Sequence, residues 1–412
     1  SRPRLSARAR VATALGRATS TVARRVRRGG GSVIGARVTL ALAPDVLDEL
    51  GAGRRVAIVS GTNGKSTTTA MLAAACSAAG HEVASNVEGS NLRSGVVAVL
   101  SSARDADLAV LEIDELALPT MLASFRDPVV VLLNLSRDQL DRFGEVRTVA
   151  AGWRRAFTGR DDVTVVANAD DPLVVWGAEA AARAVFVGAG LHWRLDAASC
   201  PGCGARILVD GGGWRCEACD LCRPACLEVR DGQVVDDAGS IVVAGVHPGV
   251  PGRHNVGNAA LAVVAALELG VDASTAAAAI ARVTSVAGRY QTVALDGTDA
   301  RLLLAKNPAG WAELLALVAD DETPLLLAIN ARIADGKDPS WLWDVPYEQL
   351  AGRSVIAAGD RAADLAVRLH YAGVPCEVWR GSLIERLRRH EAPAVDVLAN
   401  YTAFADLVRD LR

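Results

Sequence analysis

The chain has 412 residues, 51% of them hydrophobic and 22% charged, with a formal net charge of −3. That length supports two or three buried cores, and the near-neutral balance carries no global signal for nucleic acid. There is no uninterrupted apolar run of transmembrane length, and no apolar stretch with a small-residue cleavage site follows the basic N-terminus. Neither a membrane span nor a secretory signal is expected.

Residues 1–38 are rich in arginine and alanine and contain Gly29-Gly30-Gly31. The stretch RVATALGRATSTVARRVRR predicts a helix with a basic face. It is either solvated and packed on the domain, or a surface helix leaning on anionic lipid. RRVAIVSG then predicts a buried strand, followed by a helix over about 65–79. DLAVLEID, PVVVLLNL and DVTVVANADD read as further strands. Strands alternating with helices predict a parallel sheet covered by helices. A cysteine-rich insert at about 196–230 interrupts this domain, and NVGNAALAVVAALELG resumes it as a helix ending at Gly270. A second alternating region follows, with ARLLLAK, TPLLLAIN, SVIAAGD, PCEVWR and AVDVLAN as short strands. We read a basic segment 1–38, a larger α/β domain 39–288 and a smaller Rossmann-like α/β domain 289–412, with the junction near Gly288.

Six of the eight cysteines fall between Cys200 and Cys226. Cys200-x₂-Cys203, then twelve residues, then Cys216-x₂-Cys219 is the spacing of a zinc ribbon. Two thiolates from each knuckle complete a closed tetrahedral site, which makes a Zn²⁺ there structural. The metal would supply folding energy that so short a segment cannot draw from a core. Cys222 and Cys226 stay open between register swapping and a supporting role. The insert has about as many acids as bases and no aromatic stacking series, so no nucleic-acid partner is expected. The two remaining cysteines, Cys76 and Cys376, fit a reducing compartment. Neither has the context of a nucleophile.

Lysine is rare: of 44 basic residues only Lys65, Lys306 and Lys337 are lysines. VAIVSGTNGKSTTTAML places Lys65 in a strand, glycine-rich loop, helix sequence. Such a loop presents backbone N–H groups and a helix N-terminus to phosphate. Lys65 would reach the β- and γ-phosphates and Ser66 would hold Mg²⁺. The strict phosphate-loop pattern is not met, because Val59 stands where its first glycine would be.

The shorter motif, Gly61-Thr62-Asn63-Gly64-Lys65-Ser66 with Thr67 beside it, resembles the ATP loop of the Mur ligase and folylpolyglutamate synthase superfamily. That resemblance implies a Mur ligase-like central P-loop ATPase domain, and a ligase that phosphorylates a carboxylate with ATP before an amine attacks the acyl phosphate. It also implies roles for individual residues. Glu112 matches the family's Mg²⁺-binding glutamate; the plainer reading, a solvated strand-end acid, weighs more for Asp114 and Glu115 beside it. NLSRDQLDRFG resembles a metal motif, with Gln139 in place of its histidine. PGRHNVGNAALA resembles the adenine-binding segment, with Asn255 at the base and His254 beside it. Arg289 of GRYQ stands where the family has a phosphate-binding arginine.

The departures narrow the branch. No lysine lies between 66 and 305, so the carbamylated lysine of peptide-adding Mur ligases has no counterpart. Lys306 replaces a usual histidine in LLLAKNPAGW, with Asn307 beside it. About 53 residues precede the first strand, too few for a domain that holds a UDP-sugar. These features resemble the branch of the family that amidates the D-glutamate α-carboxylate of lipid II. Its implied partner is a GatD-like glutaminase supplying ammonia. Its implied substrate places it in the cytoplasm, peripheral to the inner face of the plasma membrane. In that branch an aspartate of the partner-facing loop completes the glutaminase's Cys-His pair. Asp338 is the first choice here, ahead of Asp335 and Asp344. Two other readings are a stand-alone amide ligase of the Mur or folylpolyglutamate type, and a non-catalytic ATP-binding zinc-ribbon regulator.

Overall fold

The computed structural model describes residues 5–25, 31–86, 90–137, 146–190, 194–211, 213–286, 290–319, 322–389 and 392–411. The chain divides into two compact units. The first comprises Ser1–Leu135, Val146–Gly249 and His254–Val283, and the second Ser136–Glu145, Val250–Arg253 and Thr284–Arg412. Gly288 lies outside the described residues.

The first unit opens with helices α1 (Ala7–Arg25), α2 (Gly31–Leu42) and α3 (Val46–Gly51). Helices α1 and α2 meet at Gly16 and Gly35, so closely that a Cβ on Gly16 would lie 2.6 Å from the Gly35 carbonyl oxygen. Then follow β1 (Arg55–Ser60), α4 (Lys65–Ala78), β2 (Val83–Ser85), α5 (Arg93–Ser102), β3 (Leu108–Glu112) and α6 (Leu118–Leu122). After these come β4 (Val129–Leu132), α7 (Val146–Phe157), β5 (Thr164–Asn168), α8 (Pro172–Ala178) and β6 (Arg183–Gly188). A hairpin of β7 (Ile207–Asp210) and β8 (Gly213–Cys216) stands apart as a two-stranded sheet. Strands β9 (Leu227–Arg230), β10 (Gln233–Val235) and β11 (Ile241–Val243) return to the main sheet, before α9 (Arg253–Glu268) and α10 (Ala273–Ala281).

The main sheet runs β11-β10-β9-β6-β5-β4-β1-β3-β2. It is parallel from β2 to β9, with β10 and β11 antiparallel at the edge. The expected parallel sheet is there. Strands β1, β3, β4 and β5 read as continuous apolar runs because helices cover both faces of such a sheet. Apolar periodicity did not reveal β2, β6 or β9–β11, which are short or carry partly exposed side chains.

The second unit holds a six-stranded sheet. Its elements are β12 (Tyr290–Leu295), β13 (Thr298–Leu304), α11 (Pro308–Val318), β14 (Leu325–Ala328), β15 (Val355–Ala358), α12 (Ala362–Tyr371), β16 (Cys376–Val378), α13 (Leu383–Arg388), β17 (Ala394–Ala399) and α14 (Tyr401–Asp410). The order is β12-β13-β17-β14-β15-β16, parallel except for β12. The five strands expected from sequence are β13 to β17. The edge strand β12 was not, because it alternates half-exposed with exposed residues.

Candidate active site

Four neighbouring strands of the first unit, β4, β1, β3 and β2, bring polar residues to their carboxyl ends. This is where parallel sheets bind ligands. Strand β1 runs into the loop 61–64 and then α4. Gly61 (φ 140°) and Gly64 (φ 86°) take conformations that side chains resist, and they turn the loop's backbone over the helix N-terminus. A Cβ at Gly64 would meet the Asn258 side chain at 2.8 Å. The loop is clamped from β4's end: Asn134 Oδ1 accepts from Asn63 N at 3.0 Å, and Asn134 Nδ2 donates to Asn63 O at 3.0 Å. Thr62 N donates to Asn134 O at 2.8 Å.

Ser66 and Glu112 come together. The Ser66 hydroxyl donates to Glu112 Oε2 at 2.7 Å, and both residues are buried. Glu112 ends β3 and is held in turn by Asn86 at the end of β2. Asn86 Nδ2 donates to Glu112 O at 2.8 Å, and Glu112 N donates to Asn86 Oδ1 at 2.7 Å. Asn91 Nδ2 reaches Glu112 Oε1 at 3.4 Å. A buried carboxylate and hydroxyl that share a site and face the loop are the hard oxygen donors Mg²⁺ prefers.

Lys65 is buried, with its ammonium donating to Gly61 O at 2.5 Å and Thr62 O at 3.1 Å. It also pairs with Glu115 Oε2 at 2.9 Å. Of the two readings the sequence leaves for Glu115, the structure shows a paired acid and not a solvated one. Its backbone carbonyl accepts from Trp153 Nε1 at 2.8 Å, which helps fix it beside the loop. Burial, with the charge of Glu115 second, pushes the Asp114 carboxyl above its ordinary value. Asn255 lies one helical turn before Asn258 on α9, and Asn258 Nδ2 donates to Asn255 Oδ1 at 3.1 Å. Asn255 therefore shares the loop's surroundings through Asn258. Thr67 follows in the first turn of α4. Arg289 and Gln139 lie outside the described residues. Sequence reasoning missed Asn86, Asn91 and Asn258, as well as the pairing of Glu115. The available signal was an asparagine just past β2, hidden by that strand's three-residue length.

The Sγ atoms of Cys200, Cys203, Cys216 and Cys219 all lie within 4.8 Å of one another. Bonds of about 2.3 Å in a tetrahedral zinc site separate its sulfurs by roughly 3.8 Å. Cys200 and Cys219 stand at 3.6 Å, and Cys203 and Cys216 at 3.4 Å. The set fits a zinc ion. An N–H from Ala218 leads the effects that pull the Cys216 thiol down to about 6. Cys222 and Cys226 are not in this cluster. Burial pushes Cys226 up to about 12. Trp214 seats the hairpin on the main domain, donating from Nε1 to Ala169 O at 2.9 Å. It packs in a small core with Val175, Cys200, Ile207, Cys216 and Leu221.

In the second unit Lys306 follows β13, with its ammonium 5.3 Å from the Tyr401 ring. Asn307 caps α11, its Oδ1 accepting from Gly310 N at 2.9 Å. Lys306, Asn307, Asp335, Asp338 and Asp344 line one pocket. The three aspartates differ. Asp335 is buried and accepts from Thr402 N at 2.9 Å, from the Thr402 hydroxyl and from Arg332 N at 3.2 Å. Asp344 pairs with Arg137 at 3.3 Å. Asp338 is exposed, and its Oδ1 accepts from Ser340 N at 2.8 Å. Trp343 is exposed next to Tyr371, ring centroids 5.5 Å apart. Cys76 is buried in α4 and pushed up to about 12 by burial; Cys376 is half-buried on β16 and raised for the same reason.

Residues 59–198 match the Mur ligase middle domain and residues 304–404 match the MurT ligase C-terminal domain. The chain is 29% identical to the lipid II isoglutaminyl synthase (glutamine-hydrolyzing) subunit MurT of Streptococcus pneumoniae, covering 92% of each chain. It is 27% identical to the same subunit of Staphylococcus aureus, covering 86% of this chain and 87% of the relative. Among solved structures, a pseudomurein peptide ligase type C from Methanothermus fervidus shares the fold. Its TM-score is 0.66 at 17% identity, over 87% of this chain and 79% of that one. Both domain matches and the nearly full-length similarity make the chain a member of the MurT group of Mur ligase-like proteins.

Proposed function

We propose that the chain is the ATP-dependent ligase subunit of a glutamine-hydrolysing pair that amidates lipid II, converting the D-glutamate α-carboxylate of its stem peptide to D-isoglutamine. The observation that carries this reading is one chain joining the buried Ser66–Glu112 pair beside a lysine-bearing phosphate loop to a C-terminal domain of MurT type. Loop N–H groups from Gly61 to Ser66, with Lys65 and Thr67, bind the nucleotide phosphates, and Asn255 contacts the base. Arg289 is a further phosphate contact. Ser66 and Glu112 would hold Mg²⁺, which would supply charge neutralisation at the phosphates. The substrate carboxylate oxygen attacks the γ-phosphorus, ADP leaves, and an acyl phosphate forms. Ammonia then attacks the acyl carbon, inorganic phosphate leaves and a proton is released. Lys306 offsets the charge that develops on the reacting oxygens. Glu115 positions Lys65 until phosphate takes its place. The four clustered cysteines hold a structural Zn²⁺.

The partner in this reading is a GatD-like glutaminase, and the work is done at the cytoplasmic face of the membrane where lipid II is exposed. Asp338 is the residue offered to the partner's histidine, where a carboxylate orients the imidazole and stabilises its charged form. Its exposure supports this choice, because Asp335 already serves Thr402 and Arg332, and Asp344 faces Arg137.

The test is mass spectrometry of lipid II incubated with the chain and ATP-Mg, with ammonium chloride or with glutamine plus the glutaminase. Conversion of one carboxylate to an amide with ammonium alone is expected. Lys65→Ala should cut that rate roughly a hundredfold or more. Asp338→Asn should keep the ammonium reaction and lose the glutamine reaction. Turnover with an amino acid in place of ammonia would mean a stand-alone amide ligase. ATP binding with no change in lipid II would leave a non-catalytic regulator.

A further inference from the structure

The larger apolar side chains of α1 point away from the protein. Its inward face is built of small residues, Ala9, Ala12, Thr13 and Gly16, all buried against the rest of the unit. Val11, Leu15 and Val22 face outward, 59%, 49% and 60% exposed. At the helical period, positions 11, 15, 18 and 22 fall on one stripe, and Ala18 is exposed as well. A helix whose only task is to cover a core buries its large apolar residues and turns polar ones to water. This helix turns its large apolar residues outward as well.

Its rims are basic. Arg10 and Arg17 flank the stripe on one side and Arg8 on the other, with Arg25 at the end, and all four are exposed. Arg8 also donates to Leu42 O at 2.6 Å. No acidic residue precedes Asp45, while ten arginines do so. An exposed apolar stripe between cationic rims is the pattern of a helix lying in a lipid interface. There the apolar face enters the headgroup boundary and the guanidiniums meet anionic lipid. A second copy fits less well, since face-to-face pairing would oppose arginine rims of like charge.

We propose that α1 docks the protein on an anionic membrane surface through Val11, Leu15 and Val22, with Arg10 and Arg17 reading the lipid charge. The inference stands on this helix face and not on the ligase reading. The test is co-sedimentation of the full chain with vesicles of equal parts phosphatidylglycerol and phosphatidylcholine, and with phosphatidylcholine alone. The chain should bind the mixed vesicles, less so as salt rises, and should leave the neutral ones in solution. Leu15→Glu with Val22→Glu should abolish binding. Arg10→Gln with Arg17→Gln leaves the apolar face intact and should weaken binding by roughly fivefold per arginine. Unchanged circular dichroism of both variants checks that the exposed substitutions leave the fold in place. The proposal fails if the chain ignores anionic vesicles, binds both kinds equally, or binds them undiminished in the arginine variant. It also fails if light scattering shows a dimer that Leu15→Glu dissociates.

Discussion

At the residue scale, burial decides what a carboxylate does. Glu112 and Asp171 are both among the least exposed acids, yet they serve different ends. Glu112 faces the Ser66 hydroxyl beside the glycine-rich loop. Asp171 caps α8, accepting from Leu173 N at 2.9 Å and from Leu135 N at 2.8 Å. Burial outweighs those bonds and pushes Asp171 up to about 6. A carboxyl raised in the folded state is fully favourable only below its unfolded value, and its contribution falls as pH rises through the folded value. Between pH 4 and 7 the native protein should therefore lose stability relative to Asp171→Asn, by up to about 3 kcal/mol. Thermal melts of both proteins across that window measure the difference. A gap that stays constant with pH would show that Asp171 keeps an ordinary affinity for its proton.

At the element scale, the β7–β8 hairpin has too little core of its own to hold its shape. The buried cluster around it holds six side chains, Val175 of α8 among them, and two are cysteines of the four-thiol set. Four-thiolate zinc binding is a folding contribution, not an ornament, for a segment of this size. We expect one zinc per chain by elemental analysis. Cys216→Ser should lose the metal and expose the hairpin to limited proteolysis, while α4 and the phosphate loop still bind ATP. Equal protease resistance with and without metal would show that Trp214 and its neighbours suffice.

At the scale of the whole molecule, each unit has its own sheet and its own apolar clusters. Those of the second unit lie on either side of β14 and β17 and draw only on residues from 290 onward. Units with separate cores unfold as separate cooperative steps. Calorimetry should therefore show two transitions. ATP-Mg should raise the one that contains the phosphate loop by about 2.7 kcal/mol at a hundredfold excess over its Kd, and Lys65→Ala should remove that shift. A single transition would mean that the units unfold as one.

The motifs that the sequence by itself determined are those whose chemistry is contiguous. Gly61 to Ser66 form a tight glycine-rich turn into a helix because a strand, two positive-φ glycines and a helix start follow one another along the chain. Cys200 to Cys219 form a cluster because knuckle spacing alone brings four thiols together. The buried strands were legible because helices on both faces demand unbroken apolar runs. Only the tertiary structure decided which distant residues complete these motifs. Glu115 meets Lys65 across 50 positions, and Asn134 meets Asn63 across 71, because parallel crossovers bring strand ends side by side. The same holds for Asp335, which composition cannot tell from Asp338 until Thr402 arrives from another helix. It holds also for α1. Its arginines suggested a basic face, but only the packing of Gly16 on Gly35 fixes which stripe turns inward and leaves Val11, Leu15 and Val22 facing out.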